Sequence, residues 1–285
     1  MEFSWTVLQF LAAPFVASLI LTGIHAYLGV HVVERGVIFV DLSLAQIAAL
    51  GSTIAILLPF TGGDAHGPWV YWTGLAFTFL GAAIFATVRV RDARIPQEAI
   101  IGIVYAVASA ATILAMSHAT SESEHLKDML VGNILAVSWL EVGKTAALYA
   151  VIGMFHYVYR QRFLAISLDH RKAEEMGLNV RFWDFLFYAS FGFVVTSSVL
   201  IAGVLLVFCY LIVPSVAAML FADRIGPRLA IGWTMGTVVS ALGIYLSVRL
   251  DLPTGAAMVC TFGLVLVLLA LARPLIRRTG AAATS

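Results

Sequence analysis

The chain has 285 residues, of which 61% are hydrophobic and only 12% charged. A soluble domain carries about 25% charged and about 45–50% apolar residues, so an ordinary globular protein is excluded. The formal net charge of +1 likewise excludes the basic footprint of a nucleic-acid-binding protein.

The composition is that of an all-α, polytopic helical membrane protein, one transmembrane domain over residues 1–285. The opening stretch, MEFSWTVLQFLAAPFVA, has no Lys or Arg ahead of its apolar run, so it does not read as a secretory signal, whose first region is cationic. A span needs about 20 mostly apolar residues. Nine stretches qualify: roughly 8–30, 37–58, 70–88, 98–117, 140–159, 184–200, 202–221, 229–248 and 255–272. The sixth and seventh are nearly continuous and share Ala202-Gly203 as a tight turn, so eight or nine transmembrane helices are predicted. Pro214 lies inside the seventh and is predicted to break or kink it. Gly203, Gly232, Gly236 and Gly243 allow close helix approach. Cys209 and Cys260 both sit in apolar runs and read as small packing residues.

Positive charge orients the spans. Lys and Arg concentrate in 89–94, 160–183, 222–228 and the tail from Arg273, whereas 59–69 and 118–132 hold a single Lys127. The two sets alternate, which places the N-terminus outside and the C-terminus in the cytoplasm.

The second span holds the main polar exceptions, Asp41 and Gln46. Elsewhere Glu98, Glu141, Lys144, Asp184 and Arg249 fall at predicted span ends. A proton-driven pump keeps acidic groups or His at depth despite a cost of about 2.5–3.5 kcal/mol each. The candidate pathway here is only weakly polar: Asp41, Ser43, Gln46, Thr196, Ser197, Ser198, Tyr210, Pro214, Ser215 and Ser240. Such a path leaves the energy source outside the chain. No internal repeat marks inverted halves. There is no HExxH, GxSxG or P-loop, so no enzymatic constellation shows.

One outer segment, HATSESEHLKDMLVGN, gathers His118, Glu122, Glu124, His125 and Asp128, and Asp64 and His66 lie on the same predicted side. Imidazole and carboxylate are ligands for divalent transition metals. The plainer reading is a solvated acidic loop.

The longest polar run is Leu168 to Asp184, LDHRKAEEMGLNVRFWD. Arg171 to Met176 are helix formers, and Gly177 is a natural stop because glycine takes the left-handed conformation freely. A short exposed cytoplasmic helix, a sharp turn and a return into the bilayer near Trp183 are predicted. It is either a docking element or a solvated loop.

In order and spacing, the chain from Val33 to Pro274 resembles the permease subunits of the zinc/manganese/iron family of ABC importers. LDHRKAEEMGLNV is similar to that family's Asp-x-x-x-Ala-x-x-x-Gly-Leu-x-Val pattern, matched by Asp169, Ala173, Gly177, Leu178 and Val180. AGVLLVFCYLIVPSVAA is similar to its Gly-x-Leu-Leu…Pro segment, matched by Gly203, Leu205, Leu206 and Pro214. ALGIYLSVRLDLPTGAA is similar to its Gly-x-x-x-Ser…Asp-x-Pro-x-Gly signature, matched by Gly243, Ser247, Asp251, Pro253 and Gly255. LVGNILAVS, Leu130 to Ser138, is similar to its loop-to-helix segment.

The resemblance implies a homodimeric permease of the bacterial inner membrane that binds no cofactor of its own. It implies an ABC ATPase subunit that holds ATP and docks at Asp169, Ala173, Glu174, Glu175, Met176, Gly177 and Leu178. It implies a divalent metal as permeant, delivered by an extracytoplasmic binding protein. The second span departs from the family's Gly-Asp-Ala-Leu-Ser-His…Pro-Gly. Anchored on Gly51, Gln46 stands at the His position and Leu42 at the Asp position. Asp41 is one residue early and about 140° round the helix from Gln46. A non-metal substrate, or a secondary transporter, stays open beside the metal reading.

Overall fold

The structure, a computed structural model, describes residues 5–58, 67–87, 96–117 and 134–282. All regular structure among them is helical: α1 (Trp5–Glu34), α2 (Val40–Leu57), α3 (Pro68–Thr87), α4 (Gln97–Met116), a 3-10 turn (Ile134–Ala136), α5 (Trp139–Val158), α6 (Arg160–Leu168), α7 (His170–Glu175), α8 (Val180–Ala202), α9 (Val204–Phe221), α10 (Ile225–Leu250) and α11 (Thr254–Ala282).

Among the described residues, eight of these are long and apolar enough to cross a membrane: α1 to α4 and α8 to α11. The near-continuous sixth and seventh spans are indeed two helices, broken at Gly203 with φ +76°. The ninth predicted span is α5, a 20-residue helix in which Glu141, Lys144 and His156 dilute the apolar run. Its exposed residues include Leu140, Val151 and Met154 beside Glu141 and Lys144, and exposed Trp139 and Tyr157 stand at its two ends. The helix α8 begins at Val180, a turn before the apolar run suggests, because the Asn179 side chain caps it by accepting from Phe182 N at 3.2 Å. Pro214 does not break α9, which runs on to Phe221.

The chain packs as two compact units. One combines Met1–Val30, Asn133–Ala146 and Leu205–Ser285. Its helices meet through small residues. A Cβ on Gly29 of α1 would lie 2.0 Å from the Leu211 carbonyl oxygen of α9, and one on Gly236 of α10 would lie 2.5 Å from Thr22 Cγ2 of α1. Buried Tyr210 bonds Ser240 at 3.0 Å, and Trp233 donates to the Gly23 carbonyl at 3.0 Å. The α10–α11 corner carries the Gly243–Gly255 signature. Asp251 caps α10 in the left-handed region at φ 54°. Ser247 Oγ donates to the Leu252 carbonyl at 2.7 Å and lies 2.6 Å from Thr254 Oγ1, fixing the corner.

The other unit combines His31–Gly132 and Ala147–Val204. Here α2 is central, packed on α3, α4 and α8, while α3 also packs on α8. The α2–α3 seam is built from glycines on both sides. A Cβ on Gly51 would sit 2.8 Å from Phe77, one on Gly74 2.6 Å from Ser52 Oγ, and one on Gly81 2.6 Å from Ile47. Thr78 bonds Thr196 at 3.2 Å across the α3–α8 contact, and Tyr149 of α5 bonds Ser197 and Ser198 of α8 at 3.1 and 2.5 Å.

Candidate functional site

The segment from Arg160 to Asn179 is more structured than a solvated loop requires. It holds two short helices, α6 and α7. The Asp169 carboxylate is the N-cap of α7, accepting from Lys172 N at 3.1 Å. Ala173 is fully buried, so its small side chain lets α7 lie close against the rest of the unit. Gly177 then stops the helix at φ +76°. Its N–H donates to the Glu174 carbonyl at 2.9 Å, and Leu178 N donates to the Ala173 carbonyl at 3.1 Å. That pair of bonds is a Schellman motif. Asp, Ala, Gly and Leu at this spacing are therefore an N-cap, a packing contact, a left-handed stop and its paired amide.

This architecture presents a rigid knob. Arg171, Lys172, Glu174, Glu175, Met176 and Gly177 are all exposed, and Met176 is 68% accessible. Leu168 and Phe182 are exposed apolar side chains nearby in sequence. Six residues of helix are too few to persist alone in water, so the knob depends on its two caps and on what lies beneath.

Beneath it is a buried polar cluster that the sequence did not reveal. Arg35 follows α1, which Gly36 closes at φ +66° with a second Schellman motif, Gly36 N to Val33 O at 3.1 Å and Val37 N to Val32 O at 3.2 Å. The Arg35 guanidinium donates from Nη1 to Asp184 Oδ1 at 2.5 Å and from Nε to Ser167 Oγ at 2.8 Å. Both charged side chains are only 3% accessible. His31 Nδ1 lies 2.9 Å from the same Ser167 hydroxyl. The guanidinium also stacks 4.0 Å over the Phe187 ring. Next to this, His156 of α5 bonds Ser190 at 2.8 Å and stacks 4.4 Å from Phe163 of α6. Asp184 is thus buried, in the second turn of α8, near the start of the span. Burying two charges is costly unless they are paired and hydrogen-bonded. Here the charges pair with each other, and Arg35 also donates to Ser167. Arg35 and Asp184 are 149 residues apart, so no local pattern signals the pair.

The predicted pathway residues are placed as follows. In the α2-centred unit, Asp41 and Ser43 are buried and Gln46 is half-buried. Asp41 Oδ1 accepts from Leu42 N at 2.7 Å, and Glu98 of α4 accepts from Phe39 N at 2.9 Å. Two carboxylates thus sit at the N-terminus of α2, where a helix dipole favours negative charge. Ser197 bonds the Phe193 and Val194 carbonyls and Tyr149. In the other unit, buried Ser215 donates to the Leu211 carbonyl at 2.9 Å, beside Pro214. Much of the weakly polar set, Thr196, Ser197, Ser198, Tyr210 and Ser240, is engaged in bonds that hold helices together. His118, Glu122, Glu124 and His125, and also Asp64 and His66, lie outside the described residues. Among the described residues, no three His, Cys, Asp or Glu side chains gather as a metal site.

Residues 7–273 match the ABC 3 transport family. The chain belongs to that family. It is a multi-pass membrane protein of an ABC transporter. Similar relatives include the manganese transport system membrane protein MntC of Listeria innocua, 31% identical over 66% of this chain and 69% of that one. Another is the chelated iron transport system membrane protein YfeC of Yersinia pestis, 26% identical over 85% and 79% of the two chains. The fold is similar to a chain of PsaBC from Streptococcus pneumoniae, solved in complex with Fab, with a TM-score of 0.75, 23% identity and coverage of 91% and 90%.

Proposed function

We propose that this chain is the permease subunit of an ATP-driven importer that moves a divalent transition metal into the cytoplasm. It works as a homodimer in the bacterial inner membrane, receives its substrate from an extracytoplasmic binding protein, and docks an ABC ATPase subunit on residues 168–178. ATP is bound and hydrolysed by that partner. The observation that carries the reading is the knob: a helix of six residues, capped at both ends, that keeps Glu174, Glu175 and Met176 exposed at a fixed angle. A groove on a partner ATPase is the chemistry such a knob suits. The manganese and iron names of the relatives support a metal as cargo.

Selection is assigned to the binding protein and to the outer groups His118, Glu122, Glu124 and His125. The second span is then a low-affinity slide past Asp41, Ser43 and Gln46, since a site that binds tightly traps an ion. The test is uptake into vesicles holding the permease with its ATPase and binding protein, with zinc, manganese and iron in competition. At least one metal enters in an ATP-dependent way. Converting the four outer groups to Ala weakens uptake, while Gln46→Ala changes it modestly.

A second reading keeps the importer and changes the cargo. Gln46 and Leu42 stand where the family has His and Asp, and glutamine is a weak ligand for transition metals. If no metal enters while an organic solute does, the metal assignment falls and the permease assignment stands. Failure to co-purify with any ATPase would remove both and favour a secondary transporter.

A further inference from the structure

We propose that Arg35 is a positioning residue that joins the ATPase-docking segment to the membrane helices, with Ser167 as the link on the segment's side and Asp184 on the membrane side. The inference rests on the docking role proposed for residues 168–178.

The geometry is a three-way junction within one unit. Ser167 is the penultimate residue of α6, directly before the Asp169-capped knob. Its hydroxyl receives two groups from the α1 end, Arg35 Nε at 2.8 Å and His31 Nδ1 at 2.9 Å. Arg35 then reaches Asp184 in the second turn of α8, the helix that leaves the knob for the membrane. The segment between Ser167 and Asp184 is therefore clamped at both ends by one guanidinium. Phe187 lies under that guanidinium at 4.0 Å, and Phe163 of α6 packs against Trp183 and Phe187 of α8 at 5.6 and 6.1 Å. These contacts leave the guanidinium little freedom to swing away.

Only a rigid connection converts a push on an exposed knob into motion of buried helices. A knob on a loose tether would absorb the displacement in its own torsions. With Arg35 bonded to both ends, the knob, the end of α1 and the start of α8 move as one body. Charge is well suited to this. The pair is dry, so its bonds are strong and directional, and an alternative arrangement leaves a buried charge uncompensated. Ser167 is the informative position because its removal severs the segment from Arg35 and leaves the Arg35–Asp184 pair in place.

The test uses the complete transporter in vesicles: permease, ATPase and binding protein. Three quantities are read: co-purification of the ATPase, ATP hydrolysis stimulated by loaded binding protein, and substrate imported per ATP consumed. Ser167→Ala is expected to insert and retain its ATPase, yet to lower substrate imported per ATP roughly ten-fold, the loss of one hydrogen bond to a charged group. Ser167→Thr restores the hydroxyl and most of the ratio. Arg35→Gln lowers the ratio further, but it also disturbs folding, so the two serine variants decide the outcome. A mere loss of stability reduces the amount of transporter and leaves the ratio unchanged. If wild type imports with ATP while Ser167→Ala keeps the full ratio, the junction is overturned. If wild type neither retains the ATPase nor imports, it is the proposed function that fails.

Discussion

At the scale of single residues, Gly177 and Asp184 make opposite demands. A Cβ at Gly177 would meet nothing within 4 Å, so its requirement is purely conformational. Gly177→Val places a β-branched side chain at positive φ, at a cost of about 1–2 kcal/mol or more. Gly177→Asn, whose side chain tolerates that region, is expected to keep most uptake while Gly177→Val loses it with normal membrane insertion. Equal uptake in the two variants would detach the knob from transport. Asp184 has no conformational peculiarity, and its demand is electrostatic. Asp184→Ala strands a buried guanidinium and is expected to destabilise by about 3–5 kcal/mol. The exposed Asp223→Ala should stay within about 0.5 kcal/mol. Thermal melts in detergent check both. Gly177 was legible because a helix stop is a local event, written within a few residues of itself. The Arg35–Asp184 pair was not. Asp184 alone reads as an ordinary charge at a span end, nothing in the sequence singles out Arg35, and only the packing of the end of α1 against α6 and α8 brings them together.

At the scale of elements, helix existence followed from length and apolarity, and helix contacts followed from small residues. The crossing of α1 and α9 depends on Gly29, whose added Cβ would fall 2.0 Å from the Leu211 carbonyl oxygen and 2.4 Å from Ser215 Oγ. A backbone carbonyl cannot swing aside as a side chain does. Gly29→Ala is therefore expected to cost at or above the upper end of the about 1–3 kcal/mol typical of overpacking. Gly23→Ala, where a Cβ meets nothing within 4 Å, serves as its control on the same helix. Yield and melting temperature of the two proteins decide the matter. Boundaries were less legible than existence. The start of α8 was set by the polar Asn179 cap, which an apolarity count passes over. The polar residues read as a pathway turned out to be busy as interhelical bonds in several cases, because a hydroxyl in an apolar bundle seeks the nearest acceptor.

At the scale of the whole molecule, the path of the chain turns on α5. If this helix crosses, Ser123 and Lys172 lie on opposite faces of the membrane. Single cysteines at Gly63 and Ser123 are expected to react with an impermeant external reagent, and one at Lys172 to stay unreactive in intact cells. The exposed Cys260 is first replaced by Ser so that the background is silent. External labelling at Lys172 would reverse the assignment. The aromatic ends of α5 carry a further consequence. Twenty residues of helix rise about 30 Å, close to the hydrocarbon thickness of an ordinary bilayer. Trp139 and Tyr157 prefer the headgroup level, so they fix that length against the lipid. Because α5 leads almost directly into α6, a crossing α5 would make lipid chain length a control on this protein. Long-chain lipids would then force mismatch on α5 and strain its connection to α6 and α7, whereas chains of matched length would leave it at rest.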